Sequence, residues 1–325
     1  MRKTDPGRDI RILLGMVVTL GLPAVMTLAS IRTGPADALK DPNASRFGYT
    51  ISLLLFLFPI LVLFWLHLQA HKPNVHRRAL IWSSVAIASI GFVLDTVFGY
   101  TFFTFKNPNA TLGIFLPSWD WAAMSWVSGY LPVEEFAFYI LGALFTIAVY
   151  LWANDEWLAD YDPDAHRDLC RAVPKLIHIS WGSLWTWLAL LAAGIVFKRV
   201  GPHPEGFPGY FIFVMTLGFL PTFLFLRAIS PFVNWRAFGF AFGILLLVSL
   251  IWEATLGVPY DWWNYHHDQM LGIKVRAWAD LPMEAVLLWL VIAWDCIIAF
   301  ELFRVYFHMD RPVRAALHGQ RQTSY

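Results

Sequence analysis

Apolar residues run along this chain in eight continuous stretches: residues 11–30, 50–69, 79–98, 131–152, 177–197, 210–228, 236–257 and 281–303. A helix rising about 1.5 Å per residue needs about twenty such residues to cross roughly 30 Å of hydrocarbon. The continuous runs favour helices over transmembrane strands, which are only about ten residues long and alternate with period two. The pattern predicts eight membrane-crossing helices, spans 1 to 8, with both termini on one side. Sixteen of the 24 Lys and Arg residues fall in segments on the side of the N-terminus, from Arg2, Lys3, Arg8 and Arg11 to Arg304, Arg311, Arg314 and Arg321. The excess of basic residues on cytoplasmic loops places both ends in the cytoplasm. An alternative takes the basic start and apolar run of residues 2–30 as a cleaved signal peptide. Seven crossings would then remain, with the mature N-terminus outside.

Composition agrees with burial in lipid. Of 325 residues, 58% are hydrophobic and 14% charged, against about 25% charged in ordinary soluble domains. A mean hydropathy of +0.54 leaves too little polar surface for a water-soluble globule. The net charge of +1 offers no basic excess for nucleic acid, and the two cysteines, Cys170 and Cys296, form neither a disulfide framework nor a C-x-x-C pair.

The spans repeat. LFPILVLF in span 2 matches FLPTFLFL in span 6, pairing Pro59 with Pro221. LDTVFG at the end of span 3 matches WEATLG at the end of span 7, pairing Asp95 with Glu253 and Gly99 with Gly257. Leu112-Gly113-Ile114 and Leu271-Gly272-Ile273 follow, and then span 4 opens LPVEEF where span 8 opens LPMEAV. The expected fold is an all-α integral membrane protein, eight helices arranged as two parallel-oriented repeats of one plus three spans. Its parts are residues 1–49 (tail, first span and outer loop), 50–152 (first three-span unit), 153–209 (loop, linker span and outer loop), 210–305 (second three-span unit) and 306–325 (cytoplasmic tail). An insert around SWDWAAMSW occurs only in the first copy.

Carboxylates inside spans cost about 2.5–3.5 kcal/mol each and mark candidate sites. By their depth along the helices, Asp95, Glu134, Glu253 and Glu284 form one layer beneath the outer surface, with Glu135 adjacent to Glu134 and pointing about 100° away from it. Carboxyls sharing a dry site cannot all ionise, so one keeps its proton as a general acid while an ionised neighbour serves as base. Helix capping or headgroup contact is the alternative use for acids near span ends. Asp295 reads as a protonated packing group or proton relay, and Glu301 as a solvated residue near the inner end. Trp126, Tyr130, Trp262, Trp263 and Trp278 lie in the two outer loops joining the acid-bearing helices. They are either part of an interfacial aromatic belt or ring faces that shelter a cation, each worth about 0.5–2 kcal/mol.

LPVEEF at a span start, followed by a second LPxE in a repeated three-span unit, resembles the membrane-embedded lycopene cyclase family over residues 50–305. The resemblance implies tandem three-span domains and proton-initiated closure of rings on a linear carotenoid, an intramolecular lyase reaction without net redox or cofactor. It implies Glu134 and Glu135 as paired acids, Pro132 and Pro282 as the motif prolines, and Glu284 as the first acid of the second copy. Ala285 stands where a second acid is expected, and span 1 is additional. The expected mechanism has Glu134 or Glu135 protonate a terminal alkene of a lipophilic polyene and Glu284 first among the bases. A wetter pocket would give hydration through the same cation.

Other classes fit less well. Tyr139 replaces the Arg of a CAAX-type protease motif, and no G-x-G-x-x-G is present. Asp160, Asp162, Asp164 and Asp168 lack the second Asp-rich motif of a prenyltransferase. His266, His267 and Asp268 lack a third metal ligand at helical spacing. A proton-coupled transporter and a pigment-binding subunit remain as non-enzymatic alternatives. Expected partners are the polyene and membrane lipid, with no metal and no nucleic acid; homo-oligomerisation is left open.

Overall fold

The computed structural model describes residues 6–21, 46–68, 77–158, 163–201, 203–276 and 278–319. Most of these residues are helical. Among the described residues, six helices are long and apolar enough to cross a membrane: α2 (Gly48–Leu68), α3 (Arg77–Phe102), α4 (Val133–Trp157), α6 (Trp181–Val200), α9 (Trp235–Gly257) and α10 (Met283–Met309). A seventh crossing results if α7 (Gly209–Leu224) and α8 (Leu226–Phe232) count as one span bent by 56°. The break falls at Phe225, one turn beyond Pro221, whose carbonyl still accepts from the Phe225 N–H at 2.8 Å. This architecture fits a multi-pass membrane protein. Of span 1, helix α1 (Pro6–Met16) and one π turn (Val17–Gly21) are seen; the rest lies outside the described residues, as do Asp160 and Asp162.

The central helix is α10, against which α3, α4, α7 and α9 all pack, together with the short α5 (Pro163–Ala172). Helix α4 also packs on α2, α3 and α9, whereas α6 leans on α7 at the edge. Large side chains fill the shared interior, with Trp152, Trp289, Tyr49, Tyr150, Phe56 and Phe145 all fully buried.

Strand structure appears in segments predicted as loops and in the first two residues of spans 4 and 8. The SWDWAAMSW insert is the tip of a hairpin, β2 (Phe115–Asp120) with β3 (Ser125–Pro132), in which Trp119 pairs with Trp126. A shorter ribbon joins β1 (Phe103–Thr104) to β4 (Asn264–Tyr265), tying the loop after α3 to the loop after α9. A third pairs β5 (Lys274–Val275) with β6 (Leu281–Pro282).

The two LPxE segments share one local design. Pro132 and Pro282 are extended, at φ −65° and −64°, and feed directly into α4 and α10. The Val133 N–H donates to the Ile114 carbonyl (3.0 Å), and the Met283 N–H to the Ile273 carbonyl (2.9 Å). Gly113 and Gly272 turn these loops at φ +75° and +92°, conformations that cost an L side chain about 1–2 kcal/mol. Alanine at either position should therefore lower stability by about that amount, read as a fall in melting temperature in detergent. At Gly113 the loss is purely conformational, since an added Cβ meets nothing within 4 Å, whereas at Gly272 it also crowds His203 at 3.1 Å.

Glu301 is not solvated, contrary to the sequence reading. It is fully buried, ion-paired to Arg304 at 2.7 Å and bonded by the Tyr150 hydroxyl at 2.7 Å. The i, i+3 spacing puts both charges on one helix face, and the surrounding helices exclude water. Nearby, Arg11 grips Glu156 through two bonds of 2.9 and 3.2 Å.

Candidate functional site

A cavity of about 410 Å³ lies between α3, α7 and α10, closed at one end by α4, α9 and the β1–β4 ribbon. Along α10 its wall runs from Leu288 to Phe303, a rise of about 22 Å. The cavity is therefore a slot, of a volume usual for small-molecule sites. Its lining is overwhelmingly apolar apart from four carboxylates and the phenols beside them.

Three of those carboxylates, Asp95, Glu135 and Glu253, cluster at the closed end. Glu135 sits in the first turn of α4 and accepts a 2.5 Å bond from the hydroxyl of Tyr49, at the start of α2. Glu253 lies in a π turn, Trp252–Gly257, that ends α9. It accepts bonds from the Trp263 indole (3.1 Å), the Tyr265 hydroxyl (2.6 Å) and the Trp289 indole (3.2 Å). Asp95 faces Tyr139 from α3, and its Oδ2 is buried without a hydrogen-bond partner. The Tyr210 hydroxyl, at the start of α7, lines the same end and is likewise buried without one. The fourth acid, Asp295, faces the slot from α10 with Oδ1 unpartnered. Six residues separate it from Trp289, about 9 Å along the helix.

Aromatic rings enclose the cluster. Tyr49 stacks on Trp262 (centroids 6.1 Å apart, planes within 8°) and leans on Trp252 and Trp263 at 5.8 and 5.1 Å. Phe138 and Trp252 stack at 4.8 Å. Gly257 makes room for this arrangement, since a Cβ there would lie 2.0 Å from the Trp263 ring.

The structure separates the two neighbours in the LPxE motif. Glu135 lines the cavity, whereas Glu134 faces the loop between α3 and α4, where Oε1 accepts from the Leu112 N–H (2.7 Å) and, from the start of α2, the Thr50 hydroxyl (2.6 Å). Glu284 has the same position as Glu134, its Oε1 accepting from the Leu271 N–H. Neither lines the cavity. Among the aromatic candidates, Trp263 lines it and Trp262 backs Tyr49, while Trp126 and Trp278 are 58% and 38% exposed.

Tyr130 serves the site indirectly: its hydroxyl donates to the Phe103 carbonyl at 2.5 Å, bracing the β1–β4 ribbon. Burial, and then the nearby Tyr100 phenol, push the Tyr130 phenol up to about 12 from its ordinary 10. A raised folded-state value means that the folded protein holds this proton more tightly than the unfolded chain does. The resulting stability is complete below pH 10 and is lost as pH rises through about 12. Melting temperatures across that window should fall less steeply in Tyr130→Phe than in the unsubstituted protein.

Sequence reasoning passed over Tyr49, Tyr139, Tyr210, Trp252 and Trp289. Two signals were present: a Gly-Tyr pair opens both α2 and α7, at Gly48-Tyr49 and Gly209-Tyr210, and Phe138 and Tyr139 follow Glu135 at i+3 and i+4.

No group of three or more His, Cys, Asp or Glu residues among the described residues is arranged to hold a metal ion. Comparison with known proteins finds no family model, no curated protein and no solved structure that matches this chain.

Proposed function

We propose that this protein is a membrane-embedded carotenoid cyclase, closing a ring at the end of a linear polyisoprenoid held in the slot. The observation that carries this reading is the convergence of Asp95, Glu135 and Glu253 with stacked aromatic rings at the closed end of a long apolar cavity. An apolar slot suits a hydrocarbon chain, acids at its end can supply and remove a proton, and ring faces stabilise the cation formed between those steps.

Glu135 is the acid. Its proton passes to a terminal C=C, forming a C–H bond and leaving a tertiary cation. The π electrons of a neighbouring C=C attack that cation, forming the ring C–C bond and a second cation. Loss of a proton to Glu253 restores an alkene, and return of the proton to Glu135 closes the cycle. The product is an isomer of the substrate. Glu135 takes this role rather than Glu134, and Glu253 rather than Glu284, because Glu134 and Glu284 are engaged by loop N–H groups and face away from the slot.

The matched Gly-Tyr, LGI and LPxE segments support a chain built from two parallel three-span units with an additional first span, and the excess of basic residues on the N-terminal side supports both termini in the cytoplasm. In that scheme Tyr210 corresponds to Tyr49 and Ala285 to Glu135, so the second unit has the phenol but not the acid that the first unit pairs with it.

Hydration is the second reading. The unpartnered Tyr210 hydroxyl and Asp95 Oδ2 are two polar groups suited to hold a water that could capture the first cation. Expression in a host that accumulates linear carotenoids separates the two. A pigment of unchanged mass supports cyclisation, a gain of one water supports hydration, and an unaltered linear pigment rejects both.

A further inference from the structure

We propose that the slot opens sideways into the bilayer between α3 and α7, and that this slit is where an apolar linear chain enters, end first, to reach the acid cluster. The inference rests on the reading above that the slot holds such a chain; it adds the route and the orientation.

The two helices run antiparallel over α10, and aromatic rings clasp them toward the closed end. There Phe98 meets Phe213 at 5.5 Å, and Phe102 meets Phe213 and Tyr210 at 5.3 and 5.1 Å. Beyond the clasp, the cavity is bordered by Ile87, Ile90 and Gly91 on one side and Leu217, Leu220 and Leu224 on the other. Ile90 is 51% exposed and Leu220 47% exposed, so these lips face outward.

The floor of the slot is formed by α10. Helix α10 is central, and Ala293, Cys296, Ile297 and Phe300 on it are fully buried. Ile292, Asp295, Ala299 and Leu302, which line the cavity, nevertheless keep partial exposure. Ile90 lies near the midpoint of the 26-residue α3, a depth at which an opening meets hydrocarbon rather than water. The bend after Pro221 falls beside the slit, where α7 departs from a straight course. A chain entering here meets isoleucine, leucine and phenylalanine until its leading end reaches Asp95, Glu135 and Glu253. Its trailing part passes Asp295 and stays in lipid. The occupant is thus a flexible or rod-like hydrocarbon without a polar group on the leading end, since a charged headgroup would have to be stripped of water at mid-bilayer.

The test uses lycopene as the probe, with the full chain in two backgrounds. With Glu135→Gln blocking chemistry, pigment bound per protein is measured after detergent extraction and gel filtration. In the otherwise unsubstituted protein, the initial rate of conversion is measured in vesicles. Ile90→Trp with Leu220→Trp fills the slit, Ile90→Phe and Leu220→Phe singly provide milder versions that keep the fold, and Ile81→Trp, on an exposed position of α3 away from the cavity, is the control. The double variant should lower both retention and rate at least tenfold, the single ones by less, and Ile81→Trp should change neither. Full retention and rate in the slit-filled variants would overturn the route while leaving the cyclase reading intact. Loss of retention on filling the slit, with pigment left chemically unaltered by the unsubstituted protein, would support the route and remove the cyclase reading. Bilayer phospholipid bound in place of lycopene in every variant would overturn the route.

Discussion

Glu135→Gln should abolish conversion of a linear carotenoid, lowering the rate by about 10²–10⁴-fold, the contribution of a positioned general acid, while the protein remains folded in the membrane. Glutamine is nearly isosteric and can still accept a bond from the Tyr49 hydroxyl, but it has no carboxyl proton to give. Glu134→Gln provides the contrast. The Leu112 N–H and the Thr50 hydroxyl both donate to the same oxygen, Oε1. An amide carbonyl can accept both bonds, so the loop at Leu112 should stay in place and activity should change by less than about threefold. Pigment mass and protein level in isolated membranes, measured for both variants, distinguish the two neighbours. Equal loss in both would mean that the loop clamp, not proton donation, limits the reaction.

The largest effect on stability should come from Arg304→Met. It strips the partner from a carboxylate with no solvent exposure, leaving Glu301 with only the Tyr150 hydroxyl as a close donor. Breaking a buried ion pair on one side costs about 3–5 kcal/mol, which should be visible as a large drop in melting temperature in detergent. Adding Glu301→Gln should recover most of that loss, because the second substitution removes the stranded charge. The recovery is the informative part, since a general packing defect at position 304 would not be repaired from position 301. Neither residue lines the slot, so the double variant should retain activity once folded.

Much of the architecture was legible as continuous apolar runs, because a helix in lipid satisfies its own backbone and needs only length and hydrophobicity. What could not be read were the departures from a regular helix. The bend after Pro221 and the π turn at Glu253 depend on how α7 and α9 meet their neighbours. The hairpin at the SWDWAAMSW insert could not be read either, because its tryptophans read equally well as part of an interfacial aromatic belt. The candidate site was legible as a set of residue types and not as an assignment of roles. Adjacent glutamates on a helix point about 100° apart, so only one of Glu134 and Glu135 could face a shared chamber, and nothing local said which. The choice was made by Leu112 and Leu271, whose N–H groups engage Glu134 and Glu284. The Glu301–Arg304 pair was readable from its spacing of three. Its burial was not, because the sealing residue Tyr150 lies on another helix.

The π turn also limits how this protein can vary in length. A π turn holds one residue more than the α-helical turn it interrupts, with Val258 bonding back to Glu253 rather than to Ala254. Deleting a single residue, Thr255 for example, would let the segment relax into an ordinary helix and would swing everything beyond it through about 100°. Trp263 and Tyr265 would then be aimed elsewhere, and Glu253 would lose two of its three donors at once. Substitutions at Thr255 are mild by comparison; at this point the chain counts residues, and it has none to spare.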